Sequence, residues 1–134
     1  MTEKKIIQKS SLGELFKKIK EGGARILAPV EKEKGVLFAE VDTYDAVAVN
    51  YIQTILSPKE AVLPRFEELL RFEMKGGTVV MEDTPPAPAP TVLFGVRPCD
   101  ARSFPIVKSV FAHDIADAPA LSRFENTSVI GISC

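Results

Sequence analysis

The apolar run Val92-Leu93-Phe94-Gly95-Val96, followed directly by Arg97-Pro98-Cys99-Asp100-Ala101-Arg102, decides the fold that we predict for this chain. A short apolar run of this kind is typical of a buried strand, and Pro98 ends it because proline donates no backbone hydrogen bond. A second apolar run, Val129-Ile130-Gly131-Ile132-Ser133, leads into Cys134. The sequence therefore predicts two strands that each carry a thiol at their carboxyl end.

The residues between these two strands predict a helix. Its apolar stripe consists of Ile106, Val107, Val110 and Phe111. Strand, helix and strand form a βαβ unit with parallel strands, and both strands are apolar on both faces, as is typical of buried parallel strands. Cys99 and Cys134 are then expected at the same carboxyl edge of the sheet, where open α/β sheets bind ligands.

Two starting points for this helix are compatible with the sequence. Asp100 is suited to be the N-cap. Pro105 argues against that start, because a proline inside the helix leaves the Ala101 carbonyl without its N–H partner. Ser103 is the alternative N-cap, and residues 99–102 would then form a loop.

The first third of the chain predicts a helix and a hairpin. Four apolar residues share one helical face: Leu12, Leu15, Phe16 and Ile19. Ser11 and Glu14 are spaced as a capping box, and Gly22-Gly23 supplies the stop. Residues 24–30 and 36–41 predict the two strands of the hairpin.

Three further elements complete the prediction. Residues 46–49 predict a short third strand, and residues 65–72 predict a helix whose Phe66, Leu69 and Leu70 lie on one face. Gly76-Gly77 is interpreted as a helix stop, and residues 78–81 as a strand.

The proline-rich run at residues 85–90 is interpreted as a stiff surface connector within one domain of residues 1–134. The predicted fold class is α/β, with a mixed sheet, a C-terminal parallel βαβ unit and an N-terminal helix plus hairpin.

Composition excludes several classes of protein. The chain has 134 residues, of which 46% are hydrophobic and 26% charged, with a formal net charge of -1. It predicts a globular cytoplasmic domain without a membrane span or a secretory signal. Its lysines near the N-terminus are scattered, which indicates a solvated face and no nucleic-acid partner. Two cysteines are too few for a disulfide framework.

The side chains around the first strand end each have two interpretations. Cys99 is either a small buried apolar residue or a ligand or redox group. Arg97 and Arg102 either bind a phosphate or a cofactor carboxylate, or form ion pairs with Asp100 or Glu125. We expect no catalysis within this chain, because its sole histidine has no histidine partner for a triad and no phosphate-binding glycine loop is present.

Several blocks of the sequence resemble the beta subunits of soluble sulfhydrogenases and the related A subunits of anaerobic sulfite reductases. They are residues 94–104, Val110-Phe111, Glu125-Asn126-Thr127, Gly131-Ile132-Ser133-Cys134, and upstream Ser57-Pro58-Lys59-Glu60 with Leu63-Pro64, Glu67, Leu69 and Phe72. The resemblance covers residues 50–134, whereas residues 1–49 match only in general layout.

This resemblance implies an iron–sulfur electron-transfer subunit. Such subunits pair an N-terminal α/β region with a C-terminal ferredoxin-like half that carries two [4Fe–4S] clusters. They relay electrons between a flavin-containing diaphorase-type subunit and a hydrogenase or reductase catalytic subunit. The implied role of this chain is a structural and docking domain, in which Cys99 and Cys134 contribute at most one or two metal ligands.

The sequence departs from that family in one respect. No four-cysteine run is present, so we expect that residues 1–134 alone bind no cluster and that the ferredoxin-like half is absent. We expect an excised N-terminal fragment that exposes an apolar patch and forms a homodimer. The alternative is a free-standing module that binds a small anionic ligand or a nucleotide, with Arg97, Asp100 and Arg102 as its polar contacts.

Overall fold

The computed structural model describes residues 6–82 and 88–133. Six strands are present in these ranges: β1 (Arg25–Lys32), β2 (Gly35–Glu40), β3 (Arg71–Lys75), β4 (Thr78–Glu82), β5 (Thr91–Val96) and β6 (Thr127–Gly131). Three α-helices accompany them: α1 (Leu12–Glu21), α2 (Pro98–Phe111) and α3 (Ala118–Glu125). Short 3₁₀ turns occupy Lys9–Ser11, Tyr44–Ala46 and Pro58–Ala61.

Four of the strands form the main sheet, in the order β2-β1-β5-β6. Strand β1 is antiparallel to β2 and parallel to β5, and β5 is parallel to β6. Strands β3 and β4 form a separate two-stranded sheet. The predicted α/β class is therefore confirmed, including the mixed sheet, the N-terminal helix with its hairpin, and the C-terminal parallel unit.

Each face of the main sheet has its own core, because side chains alternate along a strand. Helix α1 covers one face, where Phe16 packs edge-on against Phe94, with ring centroids 5.0 Å apart. The other face is covered by the Pro58–Ala61 turn and the two C-terminal helices, around buried Leu93 and Phe104.

The N-terminal helix begins and ends where the sequence predicts. Ser11 is its N-cap and Gly22 its C-cap, although the Ser11 side chain makes no capping hydrogen bond. Gly23 follows with a φ of 79°, a conformation that glycine adopts without steric cost.

The predicted third strand at residues 46–49 is wrong. This segment makes a single backbone contact with the sheet, in which the Ala48 N–H donates to the Pro29 carbonyl at 2.8 Å. A ladder is not completed there, because Pro29 has no N–H to donate in return.

The predicted helix at residues 65–72 is also wrong. Residues 66–70 have no helical structure, and Arg71 begins strand β3. Gly76 and Gly77 are not a helix stop but the two-residue turn between β3 and β4, with φ values of 56° and 84°. Two successive positive φ angles are what a tight hairpin turn requires, so the turn chemistry overrides the helical pattern that precedes it.

Burial in the C-terminal unit differs from the prediction. Strand β6 lies at the edge of the main sheet, and Val129 is 37% exposed. On α2, Ile106 and Val110 of the predicted apolar stripe are exposed, and Phe104, outside that stripe, is buried. An additional helix, α3, provides the cover, and its Phe124 contacts Phe104 with ring centroids 6.3 Å apart.

The proline-rich run lies partly outside the described residues. Its last three residues, 88–90, lead into β5 without regular secondary structure, and the Arg25 N–H donates to the Pro90 carbonyl at 2.9 Å. The assignment of residues 1–134 to one domain stays a prediction.

Candidate functional site at the end of strand β5

Strand β5 ends in a bulge centred on Gly95. The register with β6 shifts between Phe94 and Val96, and Gly95 has a φ of 79°. A Cβ atom at this position would lie 3.2 Å from Cδ of Pro29. Both the backbone angle and the close approach favour glycine here.

The bulge is held by a side chain from a distant segment. The Tyr51 hydroxyl donates a hydrogen bond to the Gly95 carbonyl at 2.8 Å, and the Tyr51 ring stands edge-on to Phe38. A carbonyl that a bulge removes from the ladder needs such a donor. The bond therefore fixes the direction in which β5 leads into α2.

Helix α2 begins earlier than either predicted start. Arg97 is the N-cap and Pro98 occupies the first turn, so Cys99 and Asp100 are already helical. Pro98 suits this position because its fixed φ is helical and its missing N–H needs no partner there. Pro105 lies inside the helix, which tolerates it. The two predicted caps, Asp100 and Ser103, are thus both wrong.

Asp100 contacts a residue from the upstream block. Its carboxylate accepts a hydrogen bond from Nζ of Lys59 at 3.1 Å, and both side chains are about 30% exposed (29% for Lys59, 28% for Asp100). Lys59 is positioned by a short turn, in which the Ser57 hydroxyl accepts from the Lys59 N–H and Pro58 is buried. The sequence gives no sign of this pair, because 41 residues separate its members.

A second contact holds the same segment from the other side. Nε of Arg123, on α3, donates to the Val62 carbonyl at 2.8 Å, and both terminal nitrogens of its guanidinium contact the Glu67 carboxylate. Fork-shaped pairs of this kind are geometrically specific. Residues 57–67 are therefore fastened to both C-terminal helices.

The remaining predicted site residues have different surroundings. Cys99 is exposed, so its interpretation as a buried apolar residue is wrong. Arg102 is exposed, Arg97 is half-buried, and Cys134 lies outside the described residues. The backbone after β6 stays next to this strand end, because the Ile132 N–H donates to the Val96 carbonyl at 2.9 Å.

The carboxylates that we considered as partners of the arginines have other partners. Asp100 contacts Lys59, as described above, and Glu125 contacts Lys108 at 3.5 Å. His113 forms an exposed pair with its neighbour Asp114 at 2.9 Å. Asp100 and Glu125 are therefore each paired with a lysine.

Comparison with known proteins supports the resemblance. The chain is 31% identical over 121 residues to sulfhydrogenase 2 subunit beta of Pyrococcus furiosus. The match covers 90% of this chain. The chain resembles a sulfhydrogenase beta subunit over nearly its whole length. The similarity therefore extends upstream of residue 50, where the sequence motifs show only a general layout.

The match covers only part of the relative. The chain spans about a third of the relative's length, 34%. No protein-family model matches the chain. No solved structure matches it either.

The residues that the structure describes do not fit an iron–sulfur cluster by themselves. Over residues 6–82 and 88–133, no three side chains of the His, Cys, Asp and Glu types come together as a metal site. A cubane cluster takes four thiolates, and the whole sequence has two cysteines. The same described ranges contain no helix that is long and apolar enough to cross a bilayer.

A cleft that the sequence does not reveal lies on the face of the sheet that the C-terminal helices cover. Its volume is about 300 Å³, and Leu27, Phe38 and Pro58 contribute to its apolar lining. Arg25 and Arg123 line it as well, and Nε of Arg25 donates to the Thr91 hydroxyl at 2.8 Å. Cys99 is not among its lining residues.

Proposed function

We propose that this chain is the N-terminal structural and docking domain of an iron–sulfur electron-transfer subunit in a hydrogenase- or sulfite-reductase-type oxidoreductase complex. The observation that carries the proposal is the similarity to the sulfhydrogenase beta subunit over 90% of the chain. The contact between Lys59 and Asp100 supports it, because it joins the two sequence blocks in which the resemblance is most specific.

In this function the chain is a structural scaffold, and its two thiols contribute only a minority of the ligands of a cluster. Cys99 lies exposed in the first turn of α2, and the segment after β6 is hydrogen-bonded to the end of β5, where the Ile132 N–H donates to the Val96 carbonyl. We propose that these two residues provide one or two thiolates to a cluster whose other ligands come from a ferredoxin-like half. No step of electron transfer is assigned to this chain alone, since its residues do not complete a cluster.

The partner subunits and the compartment that we propose are based on the same similarity. The matching protein is named as one subunit of a sulfhydrogenase. We propose a cytoplasmic complex with a flavin-containing diaphorase-type subunit on one side and a hydrogenase or reductase catalytic subunit on the other.

The coding sequence provides the first test. We expect it to continue past Cys134 into two four-cysteine runs, and a stop codon at that point would overturn the proposal. Anaerobic reconstitution of residues 1–134 with iron and sulfide should then give no stable absorbance near roughly 400 nm, because the thiolates are too few. A stable chromophore would contradict this expectation.

The extended subunit tests the role of Cys99. We expect that Cys99→Ser lowers the iron content or changes the electron paramagnetic resonance spectrum of one cluster, whereas Ser103→Ala, one turn further along the same helix, leaves both unchanged. Unchanged iron and spectra in Cys99→Ser would remove Cys99 from the ligand set and leave the docking role.

The alternative function, a module that binds a small anion or nucleotide at this strand end, has less support. It requires the Asp100 carboxylate as a ligand contact, but this carboxylate is paired with Lys59. A nucleotide titration followed by amide chemical shifts would favour the alternative if residues 97–102 responded at micromolar ligand concentrations.

A further inference from the structure

The cleft that Arg25, Leu27, Phe38, Pro58 and Arg123 line combines apolar and charged side chains. We call it the Arg25 cleft. Leu27 and Phe38 also pack against the core on this face of the main sheet, and Pro58 is fully buried. Its volume of about 300 Å³ lies at the lower end of the range for ligand pockets. The cleft therefore has room for a small ligand with an apolar body.

The guanidinium group of Arg25 is held in place by the neighbouring strand. Arg25 on β1 is the register partner of Thr91 on β5, and its Nε donates to the Thr91 hydroxyl at 2.8 Å. The same hydroxyl donates its own proton to the Ala89 carbonyl at 2.9 Å, and Thr91 is 3% exposed. Because Nε is fixed in this way, a ligand that pairs with Arg25 needs to order less of the side chain.

The two terminal nitrogens of Arg25 have no protein partner in the described ranges. Over residues 6–82 and 88–133, no carboxylate pairs with Arg25, and its side chain makes no hydrogen bond besides the one to Thr91. Arg25 is exposed, so water is what a ligand would replace. These nitrogens carry the N–H groups that bind a planar anion side by side.

The other charged side chains of the Arg25 cleft are compensated. Arg123 pairs with Glu67 through both terminal nitrogens of its guanidinium. Glu60, which also lines the cleft, pairs with Arg65 at 2.6 Å. Within the described part of the chain, Arg25 thus supplies the uncompensated charge of this cleft, and that charge is a single positive one.

We propose that the Arg25 cleft binds a small carboxylic acid. Its carboxylate pairs with Arg25, and its apolar body contacts Leu27 and Phe38. A phosphate monoester fits less well, because it carries up to about two negative charges at neutral pH and the carboxylate of Glu60 lines the same space. This site is separate from the end of strand β5 and does not depend on a role in electron transfer.

Phenylacetate is a suitable probe, because it joins one carboxylate to an apolar ring. In a titration of the 134-residue chain, the amide signals of Leu27, Phe38 and Ala61 should shift with saturation and a dissociation constant of about 1 mM, which is within reach of a ligand of this size. Phenylacetamide, which keeps the ring but has no charge, should bind at least about tenfold more weakly. Phenyl phosphate should bind no more tightly than phenylacetate.

Two substitutions on β1 provide a matched test. Arg25→Gln should raise the dissociation constant for phenylacetate at least about tenfold, because the charge-assisted hydrogen bonds are lost. Lys32→Gln removes one positive charge from the other end of the same strand, outside the cleft, and should leave the constant within about twofold.

The proposal is overturned if phenylacetate gives no saturable shifts up to about 20 mM, a concentration well above the expected constant, or if Arg25→Gln and Lys32→Gln weaken binding equally. Tighter binding of phenyl phosphate would overturn the choice of a carboxylic acid. The comparison of phenylacetate with phenylacetamide needs no substitution, so it decides the case in which a variant fails to fold. Equal affinities for these two probes would also overturn the proposal.

Discussion

The main sheet and the β3–β4 hairpin both contain short strands with a phenylalanine, but they bury it to different extents. Phe94 in β5 is 5% exposed, whereas Phe72 in β3, where charged and apolar residues alternate, is 66% exposed. The main sheet has helices or turns on both faces, and the hairpin has none in the described ranges. The comparison shows that local pattern creates a strand, and packing partners decide what the strand buries.

The largest expected effect is the difference in the free energy of unfolding between alanine substitutions at these two phenylalanines. Phe94→Ala should lower the free energy of unfolding by about 3–5 kcal/mol, because it removes a ring from the aromatic cluster with Phe16 and leaves a cavity. Phe72→Ala should change it by less than about 0.5 kcal/mol. Urea unfolding followed by circular dichroism, at one low protein concentration, measures both. Equal losses in the two variants would show that the hairpin is part of the folded core.

A smaller effect separates two glycines with similar backbone angles. Gly95 has a φ of 79° and Gly77 has a φ of 84°, but only a Cβ at Gly95 would contact another residue, Pro29. We expect Gly95→Ala to cost about 2–3 kcal/mol, which combines backbone strain and the close approach, and Gly77→Ala to cost about 1 kcal/mol or less.

Thermal unfolding of the two glycine variants measures the difference. A cost at Gly95 no greater than that at Gly77 would mean that the bulge relaxes away from Pro29. In that case the Tyr51 hydroxyl bond to the Gly95 carbonyl would not hold the strand end in place.

The smallest expected effect separates two ion pairs. Lys59 and Asp100 are both mostly shielded from solvent, whereas Glu73 and Lys75 of the hairpin are 65% and 66% exposed. A double-mutant cycle with Lys59→Met and Asp100→Asn should give a coupling energy of about 0.5–1 kcal/mol. The same cycle on Glu73 and Lys75 should give a coupling within error of zero, and a larger value there would reverse the comparison.

The predictions from sequence succeeded where the signal is local and strong. The helix that ends at Gly22, the hairpin that turns at Gly35 and the parallel strand that Pro98 ends are all confirmed. Each has a stop or turn residue whose backbone preference acts within a few positions.

The failures share a physical cause, which is competition between local patterns. Residues 65–72 have a helical spacing of apolar residues, but the paired glycines at 76 and 77 favour a hairpin, and the cross-strand contacts of Phe72 and Met74 complete it. Both predicted starts of α2 are too late: the Ser103 start depends on Pro105, which the helix contains, and the Asp100 start leaves out Pro98, which occupies the first turn. A proline inside a helix costs free energy but does not forbid the helix when its packing is favourable.

The sequence by itself determined that this chain is an α/β domain with a thiol at the end of a central strand. The signals that show this are the spacing of apolar residues and the positions of proline and glycine, and each acts on the backbone conformation of residues close in the sequence. Only the tertiary structure decided that Lys59 contacts Asp100, that Tyr51 supports the Gly95 bulge, and that Phe72 and Met74 of the β3–β4 hairpin are exposed. These features depend on contacts between segments 40 or more residues apart, or on the lack of such contacts within the described residues, and neither follows from local preference.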